Sequence, residues 1–158
     1  MAYKAVVSAK ARESIKNLLK RVANEKGAFN LAMLVQTLPE VPDRWTLVVS
    51  APWADSLGSK SVISYLSSRL SEDLDLDRNA LSAIDRISVK QSNDPVVQAI
   101  LQRLNDFLGV DVSTVEGGFQ LRNSVVEGWS IPEGFIFVAD PNANGKSARS
   151  AHRTKVVH

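Results

Sequence analysis

Asp55 and Asp94 each stand a few residues beyond a short apolar run, in Ser50-Ala51-Pro52-Trp53-Ala54-Asp55 and in Lys90-Gln91-Ser92-Asn93-Asp94-Pro95. Two carboxylates in one crevice can share a proton, divide acid and base roles, or hold Mg²⁺. If residues 45–50 and 87–91 are parallel neighbouring strands, both junctions open on one edge of the sheet, where ligands of open α/β sheets bind. Ser50, Lys60, Ser92 and Asn93 would then face the same crevice. A structural use competes with this reading. Asp94 ahead of Pro95 suits a helix N-cap, a role worth about 1 kcal/mol. Asp55 can close a turn on its own backbone.

Other chemistry has little to draw on. The chain has no Cys, which excludes disulfides, thiolate metal sites and a cysteine nucleophile. His152 and His158 both fall near the C-terminus, away from any scaffold element. Nucleophilic triads and histidine-based zinc sites are therefore not expected, nor is a cofactor or metal. Gly145-Lys146-Ser147 ends like a phosphate-binding loop, but Asp140 stands where the first glycine belongs. Its charge would repel phosphate, and the eleven residues after Ser147 are too few for a nucleotide domain.

Charge and aromatic placement suggest binding instead. The formal net charge of +2 is unevenly spread. Residues 1–26 hold seven Lys/Arg and two Glu, residues 27–140 hold eight against fifteen acids, and residues 141–158 hold four and no acid. Lys10, Lys16, Lys20 and Arg21 could contact a polyanion, although a solvated helix face is the commoner use of such charges. Trp53 and Trp129 lie beside turns, where a partly exposed ring can anchor a partner.

The elements that must position these residues follow from periodicity. Ser8 caps a helix over 9–26 with an apolar stripe of Ala11, Ile15, Leu18, Leu19 and Val22, and Gly27 ends it. Residues 28–37 are apolar nearly throughout and read as helix on the strength of Ala, Leu and Met. Trp45–Ser50 reads as a central strand. A loop then leads to a helix capped by Ser59, with Val62, Ile63, Leu66 and Leu70 inward. Asp77 caps a short helix that includes Leu81 and Ile84, and Ile87–Gln91 alternates like a strand. Asp94-Pro95 opens a helix with a stripe of Val97, Ile100, Leu101, Leu104 and Leu108, closed by Gly109. Five short β-type runs follow, at 112–115, 119–121, 125–126, 129–131 and 135–139, punctuated by Gly, Asn and Pro.

The expected architecture is α+β: a mixed sheet with helices mainly on one face and a C-terminal half rich in hairpins. Residues 1–140 are expected to form one domain and 141–158 a basic disordered tail. No apolar run approaches the ~20 residues that span a bilayer, and the first residues do not resemble a signal peptide. The chain is expected to be soluble and cytoplasmic, with no membrane contact. No complete catalytic set is legible, so the leading expectation is a non-enzymatic interaction or accessory module that binds a protein partner or itself. The alternatives are polyanion binding through the basic ends, or a small carboxylate or Mg²⁺-dependent enzyme at the Asp55/Asp94 edge.

Overall fold

The computed structural model describes residues 7–36, 44–73, 84–107 and 112–143. Among these described residues, five strands form one mixed sheet in the order β3-β2-β1-β5-β4. They are β1 (Leu31–Gln36), β2 (Trp45–Ser50), β3 (Ile84–Val89), β4 (Phe119–Val126) and β5 (Trp129–Ala139). The β2–β3 pair is parallel and the other pairs are antiparallel. The helices are α1 (Ala9–Lys26), α2 (Pro52–Leu57), α3 (Ser59–Glu72) and α4 (Pro95–Phe107). The α+β class and the mixed sheet follow the sequence expectation.

Helix α1 forms as its sequence dictates. Ser8 Oγ accepts from the Ala11 amide at 3.1 Å, and the Gly27 amide returns to the Ala23 carbonyl at 3.0 Å. The whole predicted stripe from Ala11 to Val22 is buried. Helices α1, α2 and α3 cover the sheet face that carries Ala32, Leu34, Trp45, Leu47, Val49, Phe135 and Phe137. Helix α4 covers the opposite face, against Met33, Val35, Val48 and Ile136. Helices thus lie mainly, but not only, on one face.

The segment read as a second helix is a strand. Residues 31–36 are β1, paired with β2 on one side and β5 on the other. Its side chains are buried on both faces of the sheet, Ala32 and Leu34 in one core and Leu31, Met33 and Val35 in the other. Helix preference of Ala, Leu and Met amounts to fractions of a kcal/mol per residue. Burial of each large apolar side chain is worth about 1.5–3 kcal/mol, so tertiary packing decides.

Four further expectations are corrected. The stretch after Pro52 is helix α2 rather than loop, with Pro at its first position, and Gly58 (φ 90°) rather than Ser59 precedes α3. Residues 112–114 form a 3₁₀ turn, not a strand. The third strand begins at Ile84 and ends at Val89, earlier than its alternation implied. The segments around Asp77, Leu81 and Gly109, and residues 144–158 with both histidines and Gly145-Lys146-Ser147, lie outside the described residues.

The remaining β-type runs merge into one hairpin. Glu127 (φ 50°) and Gly128 (φ 80°) make its two-residue turn, the backbone pattern that suits a tight hairpin. Asn123 (φ 47°) and Pro132 face each other across the ladder and drop out of the pairing. Pro132 lacks an amide to donate, and Asn tolerates the left-handed region. The face parity shifts by one there. Phe119, Leu121, Ser124 and Val126 consequently all turn toward α4.

Candidate functional site

Because β2 and β3 are parallel, their carboxyl ends share an edge with the start of β1 and the end of β5. The Asp55 and Asp94 junctions therefore meet the same sheet edge, as the sequence reading requires. Asn30 organises this edge. Its amide donates to the Ser50 carbonyl at 2.8 Å and its carbonyl accepts from the Asp140 amide at 2.7 Å. Its side chain donates to the Asp140 carbonyl and accepts from Ser92 Oγ, both at 3.0 Å. The backbone and side chain of this one buried residue thus join four segments distant in sequence.

The two carboxylates serve this framework. Asp55 accepts from the Ser92 amide with both oxygens, at 3.1 and 3.3 Å. Asp94 accepts from the Val96 amide at 2.8 Å and caps α4 as expected. Lys60 and Asn93 are exposed, and Ser50 is fully buried. The geometry can fix loops and start a helix.

The other predicted binding residues are dispersed. Lys10 and Lys20 are exposed on α1. Arg21 forms an ion pair with Asp73. Lys16, expected on a solvent face, is instead 3% exposed and donates to the Val115 carbonyl at 3.0 Å. It is held there because the turn before β4 packs on α1 and offers the Val115 carbonyl, which also accepts from the Gly118 amide at 3.0 Å. Trp53 is not at the surface. It is buried with its ring 5.6 Å from Phe29 and 6.4 Å from Tyr65. Trp129 is half-buried beside the α4-side core, with Lys90 Nζ 5.3 Å from its ring centre.

A site not singled out from sequence lies on the α4 side of the hairpin. Ile100 and Leu104 of α4, Phe119, Leu121 and Val126 of β4, and Ile136 of β5 line a pocket of about 180 Å³. Arg103 and Ser124 are its polar lining residues. Its strand, β4, is an edge of the sheet, and Val125, between the inward Ser124 and Val126, turns to the opposite face and is 59% exposed. The signal was partly visible in the α4 stripe, which continues to Leu104 beyond the buried Leu101. The other wall depends on the parity shift at Asn123 and Pro132, which no alternation pattern reveals.

Among the described residues, no group of three or more His, Asp or Glu side chains is placed to hold a metal ion, and no helix is long and apolar enough to cross a membrane. No family model matches the chain, and neither curated proteins nor solved structures yield a match.

Proposed function

We propose that this chain is a non-enzymatic, cytoplasmic interaction module that binds a protein partner along the α4–β4 side of its sheet. The observation that carries this reading is the apolar pocket on an edge strand. Edge strands and apolar clefts are the features through which sheets recruit other chains. The carboxylate-enzyme alternative draws less support, because Asp55 and Asp94 both accept from backbone amides. Polyanion binding also draws less, because Lys16 and Arg21 are engaged within the chain and leave Lys10 and Lys20 exposed on α1. The cysteine-free composition suits a reducing compartment.

Light scattering over a range of concentrations, combined with affinity recovery from cell extract, tests the reading. The expected result is a defined complex with another protein. A chain that stays strictly monomeric and recovers no partner removes it.

A further inference from the structure

Resting on that reading, we infer that the α4–β4 pocket receives one large apolar side chain from an extended segment of the partner, and that Arg103 pairs with a carboxylate close to it on the same segment.

Size argues for a side chain rather than a whole small molecule. The cavity holds about 180 Å³, below the roughly 300–1,000 Å³ usual for small-molecule sites. An anchor residue filling a desolvated pocket is the usual centre of a protein interface.

The lining argues for an apolar group with an anion beside it. Arg103 is the charged residue in the lining. Its hydrogen bond is a long one, 3.4 Å to the Val125 carbonyl. A guanidinium held this loosely beside apolar walls can exchange that bond for a stronger, charge-assisted pair with a carboxylate.

The strand argues for an extended occupant. Val126 and Trp129 flank the two-residue turn and form its hydrogen-bonded pair, so Val125 turns its amide and carbonyl away from β5. Among the described residues no strand pairs with that side of β4. An added strand can use these groups while alternate side chains enter the pocket.

Charge selects among occupants. A second copy laid along β4 brings another Arg122 and Arg103 toward the seam, because β4 carries Arg122 as its one charged residue. Residues 144–158 of this chain hold Lys and Arg but no acid. Both would set cation against cation, whereas an acidic, apolar segment of another protein would not.

The test is a selection of random displayed peptides on the full chain. Enriched sequences, made as synthetic peptides, are then titrated into the wild type, Arg103→Gln, Arg103→Lys and Leu121→Asp. Enriched peptides should share Leu, Phe or Met with Asp or Glu within two positions. Arg103→Gln should weaken binding about tenfold or more, Arg103→Lys should weaken it less, and Leu121→Asp should abolish it. Arg103 is exposed, so its variants should keep the wild-type melting temperature, which separates lost binding from lost folding. The inference is overturned by enriched peptides without acidic residues, by equal affinity for wild type and Arg103→Gln, by self-association that Arg103→Gln dissolves, or by no enrichment. Peptides that bind but ignore both positions overturn it while leaving the interaction reading intact.

Discussion

The guanidinium of Arg12 lies over the ring of Phe135, 3.9 Å from its centre, and so fastens α1 to the sheet and to the turn before β4 at one point. Its Nε donates to the Gly117 carbonyl at 2.8 Å, and a second nitrogen donates to the Val7 carbonyl. Glu13 accepts from the Gly117 amide at 2.8 Å, and Lys16 holds the Val115 carbonyl. Arg12, Glu13 and Lys16, within about one turn of a basic helix, thus grip one turn of the chain. Burial lowers the Arg12 pKa and the nearby Glu133 raises it. Arg12→Met should keep the apolar stem but leave both carbonyls without this donor. The expected loss is on the order of 1–3 kcal/mol, read as a lower urea midpoint with an unchanged slope.

The turn that Arg12 grips also contains the tightest glycine position. A Cβ on Gly118 would sit 2.9 Å from Phe137 Cδ1 and 3.2 Å from Phe135 Cβ, at φ 93°. Gly58 has a similar φ of 90° but nothing within 4 Å of an added Cβ. Gly58→Ala should therefore cost backbone strain alone, on the order of 1–3 kcal/mol. Gly118→Ala should cost roughly 1–3 kcal/mol more, from crowding two core rings. Paired thermal melts check the difference. Equal losses in the two variants would show that the Phe135–Phe137 contact yields freely.

At the opposite edge, the hydrogen bonds of Asn30 rank the polar residues by structural weight. Asn30→Ala removes two side-chain bonds and leaves Ser92 Oγ and the Asp140 carbonyl without them. A loss of about 2–4 kcal/mol is expected, as each unmade buried bond costs about 1–2. Asp94→Ala should cost about 1 kcal/mol through the lost cap. Asp55→Asn should cost less than Asn30→Ala, because an amide oxygen can still accept from Ser92. Calorimetry with Mg²⁺ or Mn²⁺ on wild type and Asp55→Asn should give equal heats, whereas heat present only in the wild type would revive the metal-enzyme reading.

How far these relationships were legible depends on whether local or distant partners decide them. The cap at Ser8 and the cap at Asp94 involve neighbours within three residues, and both were readable. The parallel pairing that brings Asp55 and Asp94 to one edge stood in the sequence only as a condition, which the β2–β3 register meets. The identity of β1 did not follow, because Leu31–Gln36 becomes a strand only through β2 and β5 on either side. Lys16 has the same lesson at a single residue. Its helical position is readable, but the Val115 carbonyl that holds it is 99 residues away. Asn123 and Pro132 look like turn residues, yet they face each other inside the hairpin, and their joint shift of parity builds one wall of the pocket.

The last prediction concerns pH and the far end of α1. Tyr65 Oη donates to Glu25 Oε1 at 2.6 Å, and Arg69 forms an ion pair with the same carboxylate. The hydrogen bond from Tyr65 holds the Glu25 carboxyl below its ordinary pKa; burial opposes it, and the charge and hydrogen bond of Arg69 and the charge of Lys26 add to the lowering. The folded state thus favours ionised Glu25. Its contribution is complete above the unfolded value of about 4.3 and is lost as pH falls through the lowered native value. The Tyr65 phenol moves the other way, raised first by burial and then by Glu25, so its contribution fades as pH climbs past about 10. Glu25 is half exposed, which limits the effect to at most about 1 kcal/mol in dilute salt. Glu25→Gln should accordingly melt below wild type at pH 7, converge with it near pH 3, and lose part of the pH 7 gap in 0.5 M salt. A gap of constant size across pH 3–7 would show that Glu25 acts through packing, with its charge playing no part.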